Sequence, residues 1–312
     1  MTFPKISVYG AGGWGTAIAS QLARKNDSVT LFARNRNVVD EISNYGTNSR
    51  YLGHDIILPE NIIPTNDLER VLSSDLLVIA VPSVAFPESL RNLKQHGLKK
   101  DVVLLVATKG FASSPARLFS EDIEANFANQ YAFISGPNFA REVARGMLTP
   151  ATIASKDEGL SLRIKRAIES ENFLVGTTRD IVTVQVAGAL KNVIAIKSGI
   201  YNAMGHMENA KAGLITDGLA EIMELSKVLG GDFSSVLLPA VMGDLLLTCY
   251  SNTSRNTRFG YEMTLSKNKG EFLKSYNFLV EGRDSAVLAA EIAKKYGLNL
   301  RIISAVASSL EG

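Results

Sequence analysis

The chain has one cysteine among its 312 residues, Cys249, which excludes an internal disulfide and a thiolate zinc site. A lone thiol suits a reducing compartment. Histidine is almost as scarce: none of His54, His96 and His206 lies in an informative constellation, so no metal site and no histidine acid or base is expected. Charge of one sign is also lacking. With 33 basic residues against 31 acidic ones, the net charge is +2, which argues against a nucleic-acid platform yet permits a local anion site. Long apolar runs are missing too. Leu76–Val81 is typical of the longest, far short of the about 20 residues a membrane span needs. Met1–Pro4 runs into Lys5-Ile6-Ser7-Val8-Tyr9-Gly10 with no basic stretch before an apolar one, so no secretory leader is expected. The resulting expectation is a cytoplasmic protein, 46% apolar and 21% charged, of about two domains.

Several short apolar runs are present: Ile6–Tyr9, Val29–Phe32, Leu76–Val81, Val102–Ala107 and Tyr131–Ser135. Helical patterns separate most of them, such as Trp14–Lys25 with Ala17, Ile18, Leu22 and Ala23 on one face. Unbroken apolar strands alternating with helices predict a parallel sheet covered on both faces. Ala151–Ser155 and Phe173–Val175 are candidates to extend it. From Asp180 onward no strand run is found. Ile181–Ala203 reads as a long, nearly uncharged helix at the centre of an all-α domain. Asn209–Leu229, Ser234–Val241, Arg258–Ser266 and Ser285–Tyr296 read as further helices. The expected fold class is an α/β domain over residues 1–179 followed by an all-α domain over 180–312.

Gly10-Ala11-Gly12-Gly13-Trp14-Gly15 fits the G-x-G-x-x-G pattern between a strand and a helix, the context in which it cradles a dinucleotide pyrophosphate. Gly10 permits the tight turn, Gly12 lets a phosphate approach the backbone, and Gly15 lets helix and strand pack closely. The helix N-terminus adds free N–H groups and a partial positive charge. At the end of the second strand, where an acidic residue would bind a ribose 2′-hydroxyl, the chain reads Ala33-Arg34-Asn35-Arg36. Arginine pairs with a 2′-phosphate, so the cofactor expected is NADP, with NAD as the alternative. Trp14 either covers the dinucleotide or packs in the core.

A pyridine dinucleotide carries hydride, and the protein must supply the proton and hold the substrate. Lys109 follows the strand Val102–Ala107, where ligands of open α/β sheets bind, and is either a site residue or an ordinary loop lysine. Lys191 lies in the apolar stretch Val186–Ile196 and is either buried there or a surface lysine that snorkels to water. An amine buried there without a partner costs several kcal/mol, on the order of the penalty for any unpaired buried charge, or has its pKa lowered into the range of a general base. Asp244, inside Gly243-Asp244-Leu245-Leu246-Leu247-Thr248-Cys249, needs a cationic partner, and Lys191 is the natural one. Ser254-Arg255-Asn256 before a helix is either an anion site or a plain cap beside an exposed arginine.

Taken in order, these blocks resemble one family from end to end: the bacterial-type NAD(P)-dependent glycerol-3-phosphate dehydrogenases. The likeness runs through Gly10–Ala17, Ala107–Gly110, Ser135–Glu142, Ala189–Val193, Gly243–Leu245, Thr248-Cys249, Ser254–Asn256, Arg258–Gly260 and Val280–Gly282. It implies a Rossmann dinucleotide-binding domain joined to an all-α domain. The implied reaction is reversible reduction of dihydroxyacetone phosphate to sn-glycerol 3-phosphate, which feeds glycerophospholipid synthesis. By residue matching it implies that Lys191 exchanges the proton, with Lys109 and Asp244 beside it. Lys109, Gly136, Asn138, Lys191, Asp244, Ser254, Arg255 and Asn256 would line the substrate. Gly13, Trp14, Arg34, Lys109, Ala140, Arg255, Leu279 and Glu281 would touch the dinucleotide. Family members are usually dimers, so a homodimer is implied. The chain departs from the family at Asp217, where arginine is frequent, and near Ser266 and Arg301, away from the chemistry. Two rivals remain: another dehydrogenase of the same architecture, of the β-hydroxyacid or 6-phosphogluconate type, and a non-catalytic dinucleotide sensor.

Overall fold

The computed structural model describes residues 3–113, 115–251 and 253–311. It divides into two compact units, Met1–Thr108 with Asp122–Ile181, and Lys109–Glu121 with Val182–Gly312. A single cut at 179/180 leaves Lys109–Glu121 in the first unit. In the structure that segment goes with the second, because Phe111 and Leu118 are buried in the second unit's core.

The first unit is a sheet of β1 (Ile6–Tyr9), β2 (Val29–Phe32), β3 (Ile62–Thr65), β4 (Leu76–Ile79), β5 (Val103–Val106), β6 (Tyr131–Ser135), β7 (Thr149–Ala154) and β8 (Phe173–Thr178). Their order is β3-β2-β1-β4-β5-β6-β7-β8, and every neighbouring pair is parallel except β6 with β7. This is a Rossmann-type arrangement, and its order reverses at β1, which pairs with β2 on one side and β4 on the other. β1, β4 and β5 are buried along their whole length, which is why they read as unbroken apolar runs. Ile18, Leu22, Leu31, Leu76, Val78 and Leu105 are fully enclosed, each worth about 1.5–3 kcal/mol of burial. β3 escapes a sequence reading because it lies at the edge and contains Pro64, which breaks the strand pattern.

The second unit is helical. Its centre is the helix Ile181–Ala203, where Val186, Leu190, Val193 and Ile194 are fully buried. Among the described residues this is the one helix long and apolar enough to cross a membrane, and 83% of its apolar window is buried inside the protein. Around it stand Glu208–Val228, Asp244–Tyr250, Arg255–Leu265, Lys269–Ser275, Glu281–Tyr296 and Arg301–Leu310. One of these, Arg255–Leu265, meets the centre at bare backbone. A Cβ on Gly199 would fall 1.9 Å from the Thr257 carbonyl oxygen, and one on Gly260 would fall 2.0 Å from that of Ile196. Only glycine allows the helices Ile181–Ala203 and Arg255–Leu265 to approach this closely.

One expected helix is absent. Residues 234–238 are turns, followed by a π-turn over Pro239–Gly243. Pro239 lacks an N–H and holds Leu238 extended, at ψ 159°, so no α-helix runs through Ser234–Val241. The helix begins instead at Asp244. Arg255–Leu265 starts three residues earlier than its apolar pattern suggests, because Ser254 caps it by accepting from the Thr257 N–H at 3.3 Å. Of the departures from the family, Asp217 is exposed on Glu208–Val228, Ser266 directly follows Arg255–Leu265, and Arg301 opens the last helix.

Candidate active site

The glycine turn of the first unit is built of bare backbone. Gly10 sits at φ +118°, and a Cβ there would lie 2.5 Å from the Ala80 carbonyl oxygen. A Cβ on Gly15 would lie 1.8 Å from the carbonyl oxygen of Gly10. At Gly12, by contrast, no atom comes within 4 Å of the Cβ position, so this side of the turn is open. The helix Gly13–Ala23 starts from Gly12 with no side-chain cap, leaving its first N–H groups available to an anion. Ala140 lies beside the turn, its Cβ 3.7 Å from the Cβ position of Gly13. Trp14 packs against the core while its indole N–H donates to the Ala107 carbonyl at 3.2 Å. Arg34 is exposed two residues past β2. Asn138 donates to the Pro150 carbonyl at 3.1 Å, near buried Gly136, and its amide oxygen is buried without a hydrogen bond.

The second unit gathers charge. The Asp244 carboxylate is 1% exposed and meets two ammonium groups, Lys109 Nζ at 2.6 Å on Oδ2 and Lys191 Nζ at 2.6 Å on Oδ1. Lys191 also donates to Thr248 Oγ1 at 3.1 Å, and that hydroxyl donates to the Asp244 carbonyl at 2.6 Å. Asp244 and Thr248 are neighbours because they stand four residues apart on one helix. The expected pairing of Asp244 with Lys191 is thus present, and Lys109 completes it. Lys109 reaches the cluster by lying on Gly188, where its Cγ is 3.5 Å from a would-be Cβ.

Burial lowers the Lys109 pKa to about 8, with the Asp244 carboxylate opposing the shift and the Lys191 ammonium adding to it. Burial alone would push the Asp244 carboxyl up, but the two ammonium charges outweigh it and hold the carboxyl below its ordinary value. Burial raises the Cys249 thiol to about 12, which keeps this sulfur protonated and unreactive.

A chain of amides extends the cluster. Asn256 donates to Asn192 Oδ1 at 2.9 Å, Asn192 lies 3.5 Å from Glu281 Oε2, and Asn256 Oδ1 accepts from the Gly282 N–H at 3.1 Å. Burial raises the Glu281 pKa against the opposing charge of Arg255. Ser254 and Arg255 open the helix Arg255–Leu265, and Leu279 is 38% exposed just before Glu281. Thr248 and Asn192 are the members that sequence reasoning did not assign. Both adjoin residues that it did, at i+4 from Asp244 and i+1 from Lys191. The three histidines are exposed and outside both clusters.

The description NAD-dependent glycerol-3-phosphate dehydrogenase matches twice, its N-terminal part over residues 5–161 and its C-terminal part over 180–312. The chain belongs to this family. A curated relative from Rickettsia typhi (strain ATCC VR-144 / Wilmington), glycerol-3-phosphate dehydrogenase, NAD(P)+, is 49% identical over 310 residues, 98% of this chain and 97% of its own. The crystal structure of glycerol-3-phosphate dehydrogenase (gpsA) from Coxiella burnetii matches with a TM-score of 0.91 at 33% identity, over 98% of this chain and 94% of that one. A PanE/ApbA family ketopantoate reductase from Ralstonia eutropha JMP134 matches with a TM-score of 0.62 at 15% identity, over 98% and 97% of the two chains. That last likeness is one of fold alone.

Proposed function

We propose that this glycerol-3-phosphate dehydrogenase family member reduces dihydroxyacetone phosphate reversibly to sn-glycerol 3-phosphate with NADPH or NADH. The observation that carries the proposal is the pair of lysines on one buried carboxylate, each 2.6 Å from Asp244. A dinucleotide sensor needs no such cluster. The glycine turn fits a dinucleotide pyrophosphate: it has an open side at Gly12, no side chain where one would intrude, and an uncapped helix start. Gly10, Gly12, Gly13, Trp14, Gly15 and Ala140 would hold it. Lys109, Arg255, Leu279 and Glu281 keep the dinucleotide roles that residue matching gives them. Arg34, an exposed cation just past β2, favours NADPH by pairing with a 2′-phosphate.

When bound, the dinucleotide supplies a hydride to C2 of the ketone. Negative charge then grows on the carbonyl oxygen, and ammonium groups in a water-poor setting stabilise it strongly. Lys109 and Lys191 are those groups. Lys191 gives its proton to the oxygen and takes it back in the oxidation direction. Asp244 holds both amines in place, and Thr248 fixes the orientation of Lys191. Arg255, with Ser254 and Asn256, grips the phosphate, because a guanidinium forks onto two phosphate oxygens. Gly136 and Asn138 complete the substrate lining by the same matching. The reading includes a cytoplasmic homodimer that supplies glycerophospholipid synthesis.

An absorbance assay with NADPH and NADH against dihydroxyacetone phosphate, and with NADP+ and NAD+ against sn-glycerol 3-phosphate, β-hydroxyacids and 6-phosphogluconate, tests this directly. Turnover of the triose phosphate and of sn-glycerol 3-phosphate alone is expected. Turnover of another substrate in their place, or binding without any turnover, would overturn the proposal.

A further inference from the structure

Four of the six residues in the turn Gly10–Gly15 are glycine, so the turn has little stiffness of its own. Something else must hold it in the shape that presents its N–H groups. Asn48 does this from inside the protein. It is fully buried in the link between the helices Arg36–Tyr45 and Ser49–Leu52. Its amide nitrogen donates to the Ala11 carbonyl at 3.0 Å and to Thr16 Oγ1 at 2.8 Å. One side chain therefore bridges the middle of the turn and the first turn of the following helix. A carbonyl can only accept, so the nitrogen must face Ala11. The amide oxygen is buried and has no hydrogen-bond partner among the described residues, so the side chain acts through its donors alone.

The segment carrying Asn48 is braced. Gly46 ends the preceding helix at φ 64°. The Glu41 carboxylate accepts from the Thr47 hydroxyl at 2.8 Å and from the Ser49 N–H at 2.7 Å. Arg141 donates through Nη1 to the Leu52 carbonyl and through Nη2 to both Asp55 carboxylate oxygens, at 2.9 and 3.0 Å. The Tyr51 carbonyl oxygen lies 3.7 Å from the Cβ position of Gly13. A fastened strap thus lies against the turn, with Asn48 as its inward contact.

We propose that Asn48 is a positioning residue for the dinucleotide. It pins the glycine turn in the phosphate-accepting shape during folding, so that this ordering is not charged against binding. The proposal rests on the dinucleotide reading above. Asn48→Ala should raise the NADPH Kd about tenfold, while kcat at saturating NADPH and KM for dihydroxyacetone phosphate stay within about twofold of wild type. Thr16→Val removes only the second acceptor and should raise the Kd about threefold, and Thr16→Ser, which keeps the hydroxyl, should restore it. If Asn48→Ala does not fold, the Thr16 pair decides alone. Wild-type NADPH affinity in folded Asn48→Ala or in Thr16→Val would overturn the role, as would a loss spread equally over Kd, kcat and substrate KM. Failure of the wild type to bind either coenzyme would instead bring down the dinucleotide reading and this one with it.

Discussion

The glycine turn of the first unit and the lysine–carboxylate cluster of the second prepare for anions by opposite means. The turn removes side chains: Gly10 and Gly15 have no room for a Cβ, Gly12 faces open space, and backbone N–H groups are left to act. The cluster concentrates side chains, with two ammonium groups sharing a carboxylate that is almost entirely enclosed. On the proposed function, the first device would bind phosphate with partial charges that no pH alters. The second carries full charges and mobile protons, which chemistry on a carbonyl requires. The comparison teaches that binding can be built from bare backbone, whereas proton transfer needs titratable groups whose burial is balanced by a partner.

The balance can be broken most severely at Asp244. Asp244→Asn leaves two buried ammonium groups without a counter-charge, a change that costs about 3–5 kcal/mol when one member of a buried ion pair is removed. A large fall in denaturation midpoint is expected, with loss of turnover. A variant as stable as wild type would show that the carboxylate is not the counter-charge. A smaller effect sharpens the contrast through pH. Lys109, with its pKa lowered to about 8, is charged below that pH and neutral above it. If its charge polarises the carbonyl, kcat/KM for reduction should fall above about pH 8, approaching about tenfold per pH unit. Lys109→Arg keeps the cation at any assay pH, so its overall rate should drop but the alkaline limb should move upward. A limb that stays in place would assign the titration to another group.

The first unit was more legible in sequence than the second, for a physical reason. Its phosphate turn is legible locally: strand, glycines and helix follow one another within about twenty residues, although the close approach of Ala80 to Gly10 is not visible there. Lys191 and Asp244 were legible by incongruity, as charges in apolar surroundings that had to find partners. The rest depends on partners far along the chain. Lys109 read as either a site residue or a loop lysine of the first domain, and Phe111 and Leu118 place its segment in the second core. Asn192 and Asn48 are ordinary amides whose meaning lies in contacts 64 and 37 residues away. Pro64 hid an edge strand, and Pro239 replaced an expected helix with the π-turn that leads into Asp244.

The most direct test of the central claim is one comparison on Lys191→Ala: turnover of dihydroxyacetone phosphate at saturating NADPH, alongside the NADPH dissociation constant. Loss of the proton donor should cut turnover about 10²–10⁴-fold while NADPH affinity stays close to wild type. Turnover near the wild-type rate would contradict the account, because the proton would then come from somewhere other than the amine paired with Asp244.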